Sequence, residues 1–255
     1  MNFIISANTD IGTTKSTNQD SLSVMVLNTV QGKMAFAVLC DGMGGLEKGE
    51  VASASVIHAF RNWATQELPA LCEAPLEDAV IRSQWERIIT EQNRTIKAYG
   101  ARQGVRLGTT AVVMLLTQFR YYVLNVGDSR AYELYGYLRQ ITSDQTFVAR
   151  EVAMGHMTEE EAQVDSRRNV LLQCVGASEE VYPDMFFGDV HQDAVYMLCS
   201  DGFRHEITPD EIYELLQPGV LFDDATMQRN TLSLIELNKQ RRERDNISAL
   251  LVRTF

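Results

Sequence analysis

Five aspartates stand at the ends of apolar runs, where a sheet can carry them to one place. Asp41 closes Ala-Phe-Ala-Val-Leu-Cys, Asp201 closes Ala-Val-Tyr-Met-Leu-Cys-Ser, and Asp128 closes Tyr-Val-Leu-Asn-Val-Gly. Asp20 stands just before Ser-Leu-Ser-Val-Met-Val, and Asp245 just before the run that begins at Ile247. Carboxylates gathered on one sheet edge repel one another, and a divalent cation is the usual neutraliser. Gly42 and Gly202 follow two of them, and glycine lets the backbone turn sharply and lets a carbonyl approach a ligand. Carboxylate oxygens, a carbonyl and water form the ligand set that Mg²⁺ or Mn²⁺ prefers. Two such ions about 3.5–4 Å apart can share an activated hydroxide. A plainer reading stands beside this one: Asp-Gly after a strand is a common turn, and aspartate before a strand is ordinary loop chemistry. The near-duplicate contexts Leu-Cys-Asp-Gly and Leu-Cys-Ser-Asp-Gly, and the number of cases, weigh for a metal site without excluding turns.

Other chemistries are poorly supported. Cys199 precedes Arg204 by five positions, whereas a cysteine-phosphatase loop needs its arginine at the sixth; Cys199 reads as a small core residue. Gly42 to Gly49 has neither a Gly-Lys-Ser/Thr ending nor Gly-x-Gly-x-x-Gly, which argues against nucleotide binding there. His205-Glu206 lacks the second histidine of a zinc helix, and His58, His156 and His191 are isolated. The charge run Lys239 to Arg244 reads as a solvated helix end.

The elements that must position the aspartates are mixed. Strands are expected at 3–9, 21–28, 35–40, 109–117, 121–126, 131–135, 137–141, 181–187, 194–199 and 247–252. The spacing of Ala52, Val56, Ala59, Phe60 and Trp63 predicts a helix, as does that of Ile81, Trp85, Ile88 and Ile96 within 76–99. Residues 145–164 are helix-like in composition, and further helices are expected near 208–217 and 223–240. Strands in runs and helices in groups indicate an α+β fold with antiparallel sheets. The 255 residues contain no repeat and no Pro/Gly-rich linker, so one domain is expected over 1–255, with an insert near 145–178.

The composition, 45% hydrophobic and 22% charged, is that of a globular chain. A net charge of −11 excludes a basic face for nucleic acid. No apolar run is long enough to span a membrane, and the N-terminus lacks the pattern of a signal peptide. The four scattered cysteines, Cys40, Cys72, Cys174 and Cys199, read as reduced, buried thiols of a cytoplasmic protein, so the sequons at Asn93 and Asn246 carry no weight.

The ordered motifs resemble the metal-dependent protein phosphatases, the type 2C serine/threonine family, and in particular its compact bacterial members. The resemblance runs along essentially the whole chain. It is carried by Gly12 through Asp20, Asp41-Gly42-Met43-Gly44-Gly45, Gly108-Thr109-Thr110, Val126 through Arg130, Ile141-Thr142-Ser143-Asp144, Ser200-Asp201-Gly202 and Asp245-Asn246. It implies a four-layer αββα sandwich of two antiparallel sheets flanked by helix pairs. It implies two or three Mn²⁺ or Mg²⁺ ions: Asp41 bridging two, the Gly42 carbonyl on the second, Asp201 and Asp245 on the first, Asp20 in an outer shell, and Asp128 with Asp201 at a third. The segment 144–177 would be a flap beside the site. The implied activity is hydrolysis of phosphoserine or phosphothreonine by a metal-bridging hydroxide without a covalent intermediate. The partners would be phosphorylated substrates of a cognate serine/threonine kinase, with the phosphatase a cytoplasmic monomer.

Two departures stand out. The family usually has an arginine fork for the substrate phosphate at position 15, and this chain has Lys15, a point charge without bidentate geometry. Met43 stands where eukaryotic relatives carry histidine and cannot protonate a leaving group, and Gln19 replaces a eukaryotic glutamate; both are bacterial patterns. Two rivals remain at this level: a weakly active phosphoprotein-binding module on the same fold, for which Lys15 is the only hint, and a phosphatase of small molecules.

Overall fold

A computed structural model describes residues 1–43 and 48–255. Ten strands form two five-stranded antiparallel sheets. In chain order they are β1 (Phe3–Asp10), β2 (Ser21–Thr29), β3 (Gly32–Cys40), β4 (Ala111–Leu116), β5 (Arg120–Val126), β6 (Arg130–Tyr135), β7 (Tyr137–Gln140), β8 (Asp184–Asp189), β9 (Val195–Cys199) and β10 (Ile247–Thr254). One sheet runs β1-β10-β9-β6-β7 and the other β2-β3-β4-β5-β8.

Side-chain alternation along β3 explains the layers. Ala35, Ala37 and Leu39 face the other sheet and pack with Tyr196, Leu198, Leu250 and Val252. Phe36, Val38 and Cys40 turn the opposite way, onto helices α1 (Gly49–Asn62) and α3 (Asp78–Gln103). Because both faces are covered, the strand reads as one apolar run rather than an alternation. A π turn over Trp63–Glu67 and the short helix α2 (Leu68–Leu71) link α1 to α3, and the turn seats Trp63 against Phe36 and Trp85, each with ring centroids 5.6 Å away.

On the outer face of the first sheet, Met197, Cys199 and Leu251 pack on Phe203, Ile212, Leu216 and Leu234. Those residues belong to α6 (Asp201–Arg204), α7 (Pro209–Leu216) and α8 (Asp224–Gln240). The result is helices, sheet, sheet, helices, the expected αββα sandwich. Between β7 and β8 lie α4 (Phe147–Ala153) and α5 (Glu159–Val164), two short helices capped by Thr146 and Thr158, where composition indicated one helical stretch.

Several boundaries differ from expectation: β3 begins at Gly32 rather than 35, and β4 runs Ala111–Leu116 rather than 109–117. β8 begins at Asp184, not 181, because Pro183 has no N–H to give a ladder. β10 continues to Thr254, whose amide donates to the Ala194 carbonyl. Asp201 stands at the first position of α6 rather than in a plain turn. Gly44 and Gly45 of the Asp41 motif lie outside the described residues.

Candidate active site

The aspartates meet at one end of the sandwich. Asp41 leaves β3 and is held by its backbone: its N–H donates to Thr110 Oγ1 at 2.9 Å, and its carbonyl accepts the Thr110 N–H and the Thr109 hydroxyl, each at 2.9 Å. Thr110 Oγ1 in turn lies 2.8 Å from Ser129 Oγ, the neighbour of Asp128. The Gly-Thr-Thr and Gly-Asp-Ser motifs are thus the clamp on Asp41. Met43 N–H donates to the Gly108 carbonyl, and Thr109 exchanges hydrogen bonds with Val175, so residues 174–177 are fastened beside the Asp41 turn. The Gly42 carbonyl is left out of this ladder.

Neither Asp-Gly glycine is needed for a left-handed turn. A Cβ on Gly42 would lie 2.6 Å from the Gly49 carbonyl oxygen, and one on Gly202 would run into the Asn246 carbonyl. Both glycines allow two backbones to touch.

Asp245 and Asp20 are organised by Asn246, a residue quoted in the sequence motif without a role. Asn246 Oδ1 accepts the Gln19 N–H at 2.9 Å, while its Nδ2 donates to the carbonyls of Ile11 and Thr17 at 3.0 and 3.3 Å. Thr13 Oγ1 donates to the Glu243 carbonyl at 2.6 Å. The loop from 11 to 19 therefore rides on the segment before β10. From that loop Lys15 reaches back, its Nζ 2.7 Å from Asp245 Oδ1. Gln19 offers its side chain to Glu50 at 3.4 Å and its carbonyl to the Gly42 N–H.

Among the described residues, both carboxylate oxygens of Asp20 and Oδ1 of Asp201 are sealed from solvent without a hydrogen-bond partner. The nearby Ser248 hydroxyl pairs with the Thr9 hydroxyl, and the Ser200 hydroxyl donates to the Asn246 carbonyl while accepting the Ser248 amide. Burial pushes the Asp20 carboxyl up to about 7; Asp201 and Asp245 push with it, and the two serine dipoles oppose it. Asp41 is raised well above the carboxylate range by burial and then by Asp20, Asp201, Asp128 and Asp245. Asp128 is likewise raised to about 7 by burial and Asp201, against the pull of Arg204. All five predicted aspartates therefore share one electrostatic field. Among the described residues, no three Asp, Glu, His or Cys side chains close on a single point as a ready-made metal cage.

Sequence reasoning missed three cationic or buried groups here. Arg204 donates to the Asp128 carbonyl at 3.1 Å and lies 3.5 Å from Asp144, which Arg130 grips through two contacts of 2.7 Å. His205 Nε2 is 3.6 Å from Asp201 Oδ2, and its Nδ1 is 3.4 Å from Glu243 Oε2. Glu243 is buried, and its Oε1 accepts the amides of Arg244 and Asp245 at 2.6 and 2.8 Å. The charge run is a solvated helix end only in part: Arg241, Arg242 and Arg244 are exposed, but Glu243 turns into the site, Lys239 pairs with Asp10, and Arg241 pairs with Glu211. Its spacing carried no periodic signal, since Glu243 lies beyond the last turn of α8.

A family model described as protein phosphatase 2C matches residues 12–232. The serine/threonine phosphatase stp of Listeria monocytogenes is 30% identical over 247 residues, 96% of this chain and 93% of its own. The structure of the S. agalactiae serine/threonine phosphatase superposes with a TM-score of 0.84 at 28% identity, covering 100% of both chains. The catalytic domain of the serine threonine protein phosphatase PstP, in complex with 2 manganese ions, superposes at 0.78 with 27% identity and 99% coverage of each chain. Likeness of this extent, spanning the aspartates and the loops that hold them, means that the chain belongs to the protein phosphatase 2C family.

Proposed function

We propose that this chain is a divalent-metal-dependent protein phosphatase that removes phosphate from serine and threonine side chains. One observation carries the reading: five aspartates, two of them (Asp20 and Asp201) with sealed oxygens unpartnered among the described residues, act on one another at the end of the sandwich. Buried carboxylates without partners are costly unless a cation neutralises them. The donor set fits a hard cation, being carboxylate oxygens with the Gly42 carbonyl, which takes no backbone hydrogen bond among the described residues. Asp41, Gly42, Asp201 and Asp245 would hold two Mn²⁺ or Mg²⁺ ions, with Asp20 in the outer shell and Asp128 with Asp201 at a third. Ions bound there would supply an activated water and offset charge on the phosphoryl oxygens.

The chain's own residues do the rest. Lys15 supplies a positive charge from the 11–19 loop for the phosphoryl group. A water attacks phosphorus in line, without a covalent intermediate. The buried thiols support this: Cys199 is pushed up to about 12 by burial, and Cys40 is raised well above the thiol range by burial and then by Asp20 and Asp41, so neither is a nucleophile at neutral pH. We take residues 1–255 as one catalytic unit, with 144–177 as a flap fastened at Val175 and rooted at Asp144 by Arg130. Among the described residues no helix is long and apolar enough to cross a membrane. Phosphoproteins made by a cognate serine/threonine kinase would be the substrates of a cytoplasmic monomer.

The test is hydrolysis of a phosphothreonine peptide with added Mn²⁺, before and after EDTA, for the parent and Asp201→Asn. Activity that needs the metal and is lost in the variant is expected. Turnover by Asp201→Asn at the parent rate, or activity surviving full chelation, would overturn the reading, and much faster turnover of small phosphate esters would replace the protein substrate.

A further inference from the structure

We infer that Lys15 is an exchangeable counter-cation: it holds Asp245 until a metal displaces it, and the released ammonium then takes the substrate phosphate. The inference rests on the phosphatase reading above.

The Lys15 ammonium has a single hydrogen-bonding partner among the described residues, Asp245 Oδ1 at 2.7 Å. Asp41 and Asp201 also act on it through space. These three are the carboxylates assigned to the metals, so the ammonium stands in for part of the missing positive charge. Asp245 is also the open member of the set, its side chain 38% exposed, whereas the oxygens of Asp20 are sealed. A cation arriving from solution meets Asp245 first and finds the lysine on it.

Two cations on one carboxylate oxygen repel, so metal ligation and the lysine contact oppose each other. The loop backbone cannot easily give way. It is pinned at Ile11, Thr13, Thr17 and Gln19 to Glu243 and Asn246. The lysine stem can: it has four carbons, rotatable donors and one contact to break. An arginine in its place could grip the carboxylate with two parallel bonds and would exchange less readily. The departure from the usual residue at position 15 thus has a physical use, as one charge serves the apo site and the substrate in turn.

The same side chain should then oppose metal binding and favour phosphate binding, a pairing of signs that a merely structural residue would not give. Isothermal calorimetry on Lys15→Met, with Lys15→Gln as a second variant, measures both. Mn²⁺ should bind the variants about 1.5-fold to fivefold more tightly than the parent, the range for a partly exposed ion pair. Inorganic phosphate should bind the Mn²⁺-loaded variants about tenfold or more weakly, as for loss of one charged hydrogen bond. Mn²⁺ affinity that is unchanged or weaker in both variants overturns the exchange, and unchanged phosphate affinity overturns its second half. An inactive parent would sink the phosphatase reading instead and leave these two affinities measurable.

Discussion

Removing the charge of Asp20 should stabilise the metal-free protein while impairing its metal binding. The Asp20 carboxyl is raised from 3.8 to about 7, first by burial, which the Ser248 and Ser200 hydroxyls offset only in part. The folded carboxyl thus binds its proton more tightly than the unfolded one, so stability is lost as pH rises from about 4 to about 7 and the full loss is present at pH 8. At 1.36 kcal/mol per tenfold, the ceiling on that loss is about 4 kcal/mol. Asp20→Asn removes the charge but leaves a buried amide without partners, which costs about 1–3 kcal/mol. The net gain at pH 8 is therefore about 1–3 kcal/mol, or about 2–10 °C in Tm for a chain of this size. Scanning calorimetry in EDTA reads it directly: Asp20→Asn should melt above the parent at pH 8, and the gap should shrink toward pH 4.5. Added Mn²⁺ should raise the Tm of the parent more than that of the variant. A variant that melts below the parent at pH 8 in EDTA would refute the claim that repulsion and burial dominate at this position.

Two further perturbations probe the scaffold. Asn246→Ala frees the Ile11 and Thr17 carbonyls and the Gln19 amide from their clip, so stability should fall by about 1–3 kcal/mol in urea titrations, and kcat/KM on a phosphothreonine peptide by about tenfold or more as the 11–19 loop loosens; full activity would show that the loop needs no clip. Far from the site, the buried Glu133 accepts from Arg139, Tyr196 and His191 at 2.6, 2.8 and 2.8 Å. Burial alone would raise its carboxyl, but these three partners hold it below the usual value. Its contribution is therefore present above about pH 4.5 and lost as pH falls through the lower folded value. Glu133→Gln should cost about 2–3 kcal/mol at pH 7, since it leaves the Arg139 charge short of its partner, and the deficit should close in acid; a constant deficit down to pH 3 would assign the loss to packing alone.

The strands and the outer helices were legible because their apolar positions follow a period of two or 3.6. So were Asp41, Asp128, Asp201, Asp20 and Asp245, because each abuts such a run. What was not legible is set by contacts between distant segments. Asn246 reaches back more than two hundred positions to Ile11, Thr17 and Gln19, and Glu243 turns inward from a run of surface charges. No local pattern distinguishes an inward glutamate from a solvated one. The same holds for α6: Asp201 and Gly202 read as a turn, yet Phe203 is drawn into the core beside Leu234, and that burial winds the segment into a helix.

The division of hydrogen bonds at the site has its own logic. Asp41 is fixed through its peptide groups by Thr109 and Thr110, and Asp245 through its amide by Glu243. The Asp41 anchors use no carboxylate oxygen, whereas Asp245 Oδ1 accepts the Asn246 amide at 2.8 Å. Had serines or amides been spent on the oxygens of Asp20 and Asp201 as well, those carboxylates would be satisfied in the metal-free chain and their affinity for a cation would fall by the strength of each bond replaced. Holding the main chain and leaving Asp20 and Asp201 oxygens orphaned keeps the repulsion unrelieved, so part of the folding stability is given up at a site that would gain it back if a cation bound there. Lys15 marks the limit of that arrangement. It relieves one carboxylate, the exposed one, with a group that can leave, while among the described residues the sealed oxygens of Asp20 and Oδ1 of Asp201 have no such partner.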